Sequence, residues 1–276
     1  MFDVCVTIVN TKERAEIEKS LDSLFADSME SGLNFGIAVI DNSSGEAVEE
    51  LEKKYTNLRV LRQERNMGFG YSHNRAFEAV TAKYYFILNP DTEFPAGQNF
   101  LRRLVKFMDE NPKIGMAGPK IFYPDGSLQY SCYRFPSFFQ PVFSRTSAGQ
   151  TETGKKATGR YLMKDFDHNL SIPVDWVMGS AMIFRRAAYE QIGGFDERYF
   201  MYAEDSDLCR RLWEAGWAVY YVHDIHLRHT HGRASAKVPG VFRALIKNPF
   251  TRVHIYSWLK YFFKWRNNRH YYPHDI

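Results

Sequence analysis

The sequence has few cysteines, and none of them stands at a metal-binding spacing. Cys5, Cys132 and Cys209 are the three thiols among 276 residues. An odd number of widely separated cysteines argues against a disulfide framework and favours a reducing compartment. We therefore expect a cytoplasmic protein whose core is built from the 45% of residues that are hydrophobic.

Long apolar runs and a leader-like N-terminus are also absent. No stretch of 18 apolar residues occurs, so the sequence predicts no membrane-spanning helix. The first ten residues, MFDVCVTIVN, contain neither a basic leader nor a small-residue cleavage site. They predict a buried strand and not a signal peptide.

Positive charge is concentrated near the C-terminus. Residues 241–276 hold seven Lys or Arg and one Asp, a balance of +6, whereas the whole chain carries +4. The other 240 residues therefore carry −2, which argues against a nucleic-acid-binding protein. Asn248-Pro249 is a good helix start, and a helix predicted from there has two faces. Its apolar face contains Ile255, Leu259, Phe262 and Phe263 with Trp258 and Trp265 at the border, and Ser257, Lys260 and Lys264 lie opposite.

This amphipathic pattern has two interpretations. One is a helix lying on an anionic membrane surface, which the local positive charge favours. The other is a helix that docks its apolar face on the sheet.

Strands and helices alternate in the first half of the chain. Strands are predicted at 4–9, 37–40, 58–61 and 84–88, and helices at 13–25, 47–55 and 98–109. This order implies an α/β fold with a parallel sheet and with ligands at the carboxyl ends of its strands. Residues 144–159 show little periodicity and predict a mobile loop. The aromatic residues before them are expected to be mostly core, with an acceptor cleft as the alternative: Tyr130, Tyr133, Phe135, Phe138 and Phe139.

Two aspartates follow buried strands. A carboxylate at Asp41 fits a ribose hydroxyl or a base N–H, and an Asx turn is the alternative. Asp91 stands in an Asn-Pro-Asp turn, where a hard oxygen ligand suits Mg²⁺ or Mn²⁺ bound with a diphosphate. An ordinary turn is the alternative there.

The loop at 65–76 contains glycines but lacks the G-x-G-x-x-G spacing, so it predicts no dinucleotide site. The helix N-terminus after Gly68 can face a phosphate with help from Arg75, or the glycines can serve only as turn residues. Four later histidines lack zinc-site spacing: His223, His226, His229 and His231. One of them completing the Asp91 site is the favoured interpretation, and solvated histidines are the alternative.

Glu204 and Asp205 stand between an aromatic run and an amphipathic helix. A partly desolvated carboxylate at a helix start suits a general base. Helix capping by Asp205, Ser206 or Asp207 is the alternative. Upstream, Gly179 and Ser180 are small enough to let a ligand approach the backbone.

Together these segments resemble a known family. The ordered set is VTIVN, VIDNSS, RNMGFGYSHNRA, ILNPDTEF, VDWVMGSAMIFRR, GGFDERYFMYAEDSDLCRRL and the late histidines. It is similar to the family 2 glycosyltransferases of GT-A fold, and to their bacterial rhamnosyltransferase branch, over about residues 3–235. The resemblance implies a Rossmann-like, mostly parallel central sheet flanked by helices, with a C-terminal amphipathic helical extension. Residues 1–240 would form the catalytic domain, with a nucleotide-sugar-binding half to about 120 and an acceptor-binding half from about 121, and residues 241–276 the tail.

The resemblance also implies roles for single residues. Asp205 matches the general base, with Glu204 as its neighbour and the alternative base. Asp91 and His229 match the metal ligands, and His231 is a weaker match. Asn89 replaces the first carboxylate of the family's D-x-D motif, which leaves one charged ligand fewer. The implied donor-binding residues are Asn10, Asp41, Asn66, Gly68, Arg75, Asn89 and Asp91, and the implied acceptor-binding residues are Trp176, Gly179 and Ser180.

The implied reaction is an inverting, Mg²⁺- or Mn²⁺-dependent transfer of L-rhamnose from dTDP-β-L-rhamnose. Its acceptor would be a saccharide on a polyprenyl diphosphate, at the inner face of the membrane, and oligomers are compatible with it. One alternative is a transferase that uses a UDP-hexose. Another is a non-catalytic module that binds sugar nucleotides or glycans, which the intact Glu204, Asp205 and Asp91 disfavour.

Overall fold

A ten-stranded mixed sheet lies at the centre of the part of the chain that the computed structural model describes, residues 1–28, 32–230 and 247–267. Its strand order is β3-β2-β1-β4-β11-β6-β12-β5, with β7 on β6 and β9 on β12. The strands of the sheet are β1 (Phe2–Asn10), β2 (Phe35–Asp41), β3 (Leu58–Arg62), β4 (Ala82–Leu88), β5 (Thr92–Glu93), β6 (Ile114–Phe122), β7 (Leu128–Gln129), β9 (Ile172–Pro173), β11 (Ala181–Arg185) and β12 (Ala218–His229). A separate pair joins β8 (Cys132–Tyr133) to β10 (Trp176–Val177).

Helices cover the sheet. They are α1 (Arg14–Ser28), α2 (Glu50–Lys54), α3 (Phe69–Ala79), α4 (Phe100–Glu110), α5 (Gln140–Arg145), α6 (Glu152–Tyr161), α7 (Arg186–Ile192), α8 (Glu204–Glu214) and α9 (Pro249–Trp265). Apolar side chains at helical spacing bury one side of each long helix, as Ile17, Leu21 and Leu24 do in α1.

Strand β1 lies in the interior of the sheet, and every residue from Val4 to Asn10 is buried. It pairs in parallel with β2 on one side and with β4 on the other. A run of β-branched residues suits a strand buried on both faces. The carboxyl ends of β1, β2 and β4 therefore lie side by side, and they carry Asn10, Asp41 and the turn that begins at Asn89.

Strand β11 joins the two predicted halves. It is antiparallel to both β4 and β6, with Ala181 opposite Leu88. The start of β11 consequently lies beside the end of β4, so the Gly179-Ser180 segment is next to the Asn-Pro-Asp turn. The predicted boundary near residue 120, between the nucleotide-sugar-binding half and the acceptor-binding half, therefore falls within one continuous sheet.

Residues 144–159 are not a loop. They contain the end of α5, a 3₁₀ turn at Ser147–Gln150 and most of α6. The hydroxyl of Thr146 accepts from the Ala148 N–H, and that of Thr151 accepts from the Gly154 N–H. These caps satisfy helix-start donors that a weak apolar periodicity does not reveal.

The aromatic residues before this segment divide into two groups. Tyr133 is buried, and Tyr130 and Phe135 pack against the core, as predicted for most of them. Phe138 and Phe139 are exposed at the surface.

Helix α9 docks through Ser257 and Lys264 on its polar side, and not through its apolar face as the docking interpretation predicted. The membrane interpretation stays a prediction. Ser257 Oγ donates to the Met201 carbonyl at 2.7 Å, and Lys264 Nζ lies 2.7 Å from both Asp196 and Asp207. Asp207 is fully buried and needs these donors, which explains the reversed orientation. The rest of the predicted tail, residues 241–246 and 268–276, lies outside the described residues.

No helix within the described ranges has the length and apolarity needed to cross a bilayer. All three thiols are buried and unpaired with one another. Burial raises the pKa of Cys5 and of Cys132 to about 12, and it raises the pKa of Cys209 as well.

Candidate active site

Asn89, Asp91 and His229 form one corner of the site. Pairing of β12 with β5 sets His229 opposite Thr92, and the Thr230 N–H donates to the Asp91 carbonyl at 3.0 Å. The His229 Nε2 atom then lies 3.1 Å from Asp91 Oδ1 and 3.3 Å from Asn89 Nδ2. One of the four late histidines thus reaches Asp91, and its role as a metal ligand stays a prediction. His223 bonds Ser171 and His226 packs against Phe122, and His231 lies outside the described residues.

This corner fits a divalent ion bound together with a diphosphate. Neighbouring ligands of an octahedral ion, each about 2.1 Å from it, are about 3 Å apart. The Asp91 Oδ1 and His229 Nε2 atoms have this separation, 3.1 Å. No cluster of three His, Cys, Asp or Glu side chains occurs in the described ranges, so protein ligands alone do not fill the coordination sphere.

Asp205 occupies the first turn of α8. Its Oδ1 atom accepts from the Ser206 N–H at 2.8 Å and its Oδ2 atom from the Gly179 N–H at 3.2 Å. Burial raises the pKa of Asp205 to about 6, and these two N–H bonds act in the opposite direction. The carboxylate is therefore ionised at neutral pH and yet basic enough to accept a proton.

Glu204 has a different environment. It is buried, and its Oε2 atom has no hydrogen-bond partner among the described residues. Burial, and then the charge of Asp205, hold the pKa of Glu204 well above its usual range. The environment of Glu204 thus favours its protonated form, and the role of Asp205 as the general base stays a prediction.

Two hydrogen bonds connect Asp205 to the corner formed by Asn89, Asp91 and His229. The Asn89 N–H donates to the Ser180 carbonyl at 2.8 Å, and the preceding residue, Gly179, donates to Asp205. The Ser180 hydroxyl is buried without a hydrogen-bond partner in the described part of the chain. The structure therefore brings together Asn89, Asp91, Gly179, Ser180, Asp205 and His229.

The segment before α8 is strained. Tyr202 and Ala203 both have left-handed backbones, with φ of 68° and 66°. This conformation costs non-glycine residues free energy and is concentrated at functional sites. Helix α9 supports the segment, because His254 stacks on Tyr202 with ring centroids 4.4 Å apart and Ser257 holds Met201.

Asp41 and Asn10 lie at the neighbouring strand ends. Asp41 is buried, and its Oδ1 atom accepts from the backbone N–H of Ser44 at 3.1 Å and from its hydroxyl at 2.5 Å. Asn10 Nδ2 donates to Ser44 and to Glu46. The Asx-type turn, kept as the alternative, is therefore present, and the contact of Asp41 with a base stays a prediction.

Gly68 lets two loops approach each other. Its φ is 88°, and a Cβ there would lie 2.1 Å from the Phe200 carbonyl oxygen, which accepts from the Phe69 N–H. Asn66 receives a hydrogen bond from Asn42. These contacts give Gly68 and Asn66 structural roles, and their donor-binding roles stay predictions.

Arg75 and Trp176 are engaged with other protein groups. The Arg75 guanidinium pairs with Glu78 and Glu197. Trp176 is buried, stacks on Tyr133 with centroids 4.2 Å apart and donates to the Arg134 carbonyl. These contacts occupy the indole face, and phosphate binding by Arg75 and acceptor binding by Trp176 remain predictions.

Comparison with known proteins identifies the family. Residues 3–193 match the sequence model of glycosyl transferase family 2. The chain belongs to this family. Residues 160–232 also match a model described as the N-terminal domain of galactosyltransferase.

Relatives of this family 2 glycosyltransferase include two with named activities. An N-acetylglucosaminyl-diphospho-decaprenol L-rhamnosyltransferase of Mycobacterium tuberculosis is 30% identical over 87% of this chain and 80% of its own. The rhamnosyltransferase WbbL of Escherichia coli K12 is 28% identical over 84% of this chain and 86% of its own. The predicted family and its rhamnosyltransferase resemblance are thereby confirmed.

A solved structure confirms the GT-A fold of the family 2 enzyme. The mannosyltransferase PcManGT from Pyrobaculum calidifontis, in complex with GDP-Man and Mn²⁺, has a TM-score of 0.58 and 16% identity. The likeness covers 98% of this chain and 76% of that one.

One residue of the glycosyltransferase site escaped the sequence prediction. Gln129 Oε1 lies 2.7 Å from His229 Nδ1, although the two residues are 100 positions apart. It stands in a two-residue strand within a region of irregular composition, so no periodicity marked it.

Proposed function

We propose that this glycosyltransferase moves L-rhamnose from dTDP-β-L-rhamnose to a hydroxyl of a saccharide on a polyprenyl diphosphate. The observation that carries the proposal is that hydrogen bonds connect the Asp205 carboxylate to the corner formed by Asn89, Asp91 and His229. The links are the Gly179–Asp205 hydrogen bond of 3.2 Å and the Asn89–Ser180 hydrogen bond of 2.8 Å. The names of the relatives support rhamnose as the sugar and a diphospho-polyprenol as the carrier.

In this reaction the acceptor oxygen forms a bond to the anomeric carbon, and the bond from that carbon to the diphosphate breaks. The acceptor proton passes to Asp205, and dTDP leaves. Because Glu204 keeps its proton, one base acts and no covalent sugar intermediate is needed. A single displacement inverts the configuration, so the β-linked donor gives an α-linked product.

Asp91 and His229 would hold Mg²⁺ or Mn²⁺ with the donor diphosphate. The bound ion would offset the negative charge that grows on the departing diphosphate. Asn89 contributes an amide in place of a second carboxylate. The protein therefore relies on diphosphate oxygens to complete the site, which is usual for Mg²⁺.

Helix α9 supports an interfacial location at the inner face of the membrane. Apart from Pro249 and Phe250 at its start, the exposed residues of α9 are Arg252, Tyr256, Leu259 and Phe263. With the exposed C-cap residue Arg266 they form one stripe at spacings of four and three. Tyr256, Leu259 and Phe263 are 62%, 48% and 69% exposed. Apolar side chains with cations at both ends suit the headgroup region of anionic lipids.

A UDP-hexose donor is the second candidate, favoured by the galactosyltransferase match over residues 160–232. We would test both with thermal shifts, adding dTDP-rhamnose, UDP-glucose, UDP-galactose or UDP-GlcNAc with and without Mn²⁺. A ligand at one hundred times its Kd stabilises the native state by about 2.7 kcal/mol, so the true donor is detectable.

Product analysis completes the test. We expect a Mn²⁺-dependent shift with dTDP-rhamnose alone, and an α-linked product on a polyprenyl-diphosphate saccharide by NMR. A thermal shift with a UDP-sugar in place of dTDP-rhamnose would identify that UDP-sugar as the donor. A β-linked product would refute inversion.

A further inference from the structure

Gln129 makes two hydrogen bonds to the same residue. Its side chain is 3% exposed, and β7 holds its backbone against β6 through the pairing with Ile121. Gln129 Oε1 lies 2.7 Å from His229 Nδ1, and Gln129 Nε2 donates to the His229 carbonyl at 3.4 Å. The amide therefore spans the backbone and the ring of one histidine.

These two bonds determine where the imidazole hydrogen lies. A backbone carbonyl only accepts, so the amide nitrogen of Gln129 must face it and the amide oxygen must face the ring. An amide oxygen also only accepts, so His229 Nδ1 must donate. In the neutral ring the hydrogen is on Nδ1, and Nε2 presents a lone pair.

Of the two side-chain atoms next to Nε2, one agrees with this tautomer directly and the other agrees with it when a cation is bound. Asn89 Nδ2, which can only donate, lies 3.3 Å from it. Asp91 Oδ1 lies 3.1 Å from the same nitrogen. Two electron-pair donors so close together repel each other unless a cation lies between them, and their separation matches neighbouring ligands of an octahedral ion.

We propose that Gln129 is a positioning residue for the metal: it fixes His229 in the Nδ1–H tautomer and directs Nε2 towards the ion. This inference rests on the proposed Asp91–His229 site. An amide achieves the orientation without adding a charge. Partners of this kind typically change metal affinity 10–100-fold when they are removed.

The first test is metal affinity, measured by Mn²⁺ EPR titration with saturating dTDP or UDP, whichever the wild type binds. We expect Gln129→Leu to weaken Mn²⁺ binding about 10–100-fold, because His229 Nδ1 then loses the acceptor that Gln129 supplies. Gln129→Glu should stay within a few-fold of the wild type, because a carboxylate still accepts from Nδ1–H. Ser131→Ala removes another buried hydrogen bond nearby, from Ser131 Oγ to the Pro119 carbonyl, and should leave Mn²⁺ affinity unchanged.

The second test needs no substitution in the measured protein. ¹⁵N-histidine NMR of the wild type, with the His229 signals assigned by their loss in His229→Asn, should show Nδ1 carrying the hydrogen. An Nε2–H tautomer would overturn the proposal. Normal Mn²⁺ affinity in Gln129→Leu would also overturn it if Asp91→Asn abolishes binding, whereas unchanged binding in both variants would refute the metal site itself.

Discussion

Neighbouring carboxyl groups at Glu204 and Asp205 divide acid and base character between them. Asp205 accepts two backbone N–H bonds, and Glu204 Oε2 has no partner among the described residues. Burial raises the pKa of Asp205 to about 6, and burial with the charge of Asp205 holds the pKa of Glu204 well above its usual range. The surroundings of the two carboxyl groups, and not their residue types, therefore favour Asp205 as the proposed base.

Asp205→Asn should lower kcat about 10²- to 10⁴-fold, because general-base catalysis typically contributes that much. Donor binding should be unchanged, since Asp205 is assigned to the acceptor proton. Radiolabelled transfer assays and donor calorimetry measure the two effects. Asp167→Asn, an exposed aspartate on another loop, is the control, and wild-type turnover in Asp205→Asn would remove Asp205 as the base.

The pH profile of kcat/KM should have an acid limb. Below a pH of about 6 Asp205 becomes protonated, so the rate should fall about tenfold per pH unit. Steady-state assays from pH 4.5 to 8.5 check this, with circular dichroism at each pH to confirm folding. A flat profile down to pH 5 would contradict the assignment.

Glu204→Gln should stabilise the protein at neutral and higher pH. The folded pKa of Glu204 is raised, so the native state holds a proton that the unfolded state releases above its pKa of about 4.5. The wild type therefore loses stability as pH rises through that window, and glutamine removes this loss. Urea denaturation at pH 5 and pH 8 should show a larger gain at pH 8, and an equal gain at both would contradict the raised pKa.

For single residues, the sequence pointed to most of the candidate site but did not show how the environments of these residues differ. Glu204 and Asp205 were recognisable as a pair, but their different pKa values depend on Gly179, which folding brings from 26 positions away. Gln129 was missed because its partner is 100 positions distant and β7 has two residues.

Helices α8 and α9 act as one unit behind the base. Asp207, fully buried in α8, accepts hydrogen bonds from Arg211 in its own helix and from Lys264 and Trp265 in α9. A buried carboxylate needs such partners because burying an unpaired charge costs much free energy. The packing of α9 therefore bears on the position of Asp205, two residues before Asp207.

Lys264→Met should lower the free energy of unfolding by about 1–3 kcal/mol, because it removes a donor from a buried charge. Lys260→Met is the matched control, one helical turn earlier, where the ammonium contacts the Arg198 carbonyl and the Tyr256 ring but no buried carboxylate in the described part of the chain. Its effect should be within about 0.5 kcal/mol. Equal losses in both variants, measured by urea denaturation, would show that Asp207 does not need Lys264.

Element prediction succeeded where one strong pattern was present and failed where capping or pairing decided. Buried β-branched runs identified β1 and β2, and a buried run of aromatic and aliphatic residues identified β4. The helices within 144–159 depend on the hydroxyls of Thr146 and Thr151, which periodicity does not register. Helix α9 was predicted as a helix, but its amphipathic pattern did not indicate that the polar side faces the body, because Asp207 is remote in sequence.

In the part of the molecule that the structure describes, exposed aromatic residues before α5 pack beside helix α9. Phe138 packs on Trp258 and Phe262, with ring centroids 4.7 and 5.4 Å apart, and Phe139 is exposed beside it. Through Trp258 and Phe262 these rings contact α9, the helix that carries the exposed stripe. The parallel pairing among β1, β2, β3 and β4 was predictable from the sequence, but this contact joins two distant segments and was not.

Leu259→Glu with Phe263→Glu should release the protein from vesicles of phosphatidylcholine and phosphatidylglycerol, because it sets charges in the apolar stripe. Co-sedimentation measures binding, and turnover on a short-chain, water-soluble acceptor should remain at the wild-type level. Leu170→Glu, at an exposed leucine outside α9, is the matched control. Unchanged sedimentation of the double variant would refute membrane binding by this helix.

The burial of Cys5, Cys132 and Cys209 has a practical consequence. Thiolates are the reactive form, and burial disfavours them at all three positions, so maleimide and methanethiosulfonate reagents should leave the native thiols unmodified. A fluorophore or spin label can then be attached at a single introduced cysteine, such as Phe263→Cys, in an otherwise wild-type chain. Such a probe would report the depth of α9 in a bilayer directly.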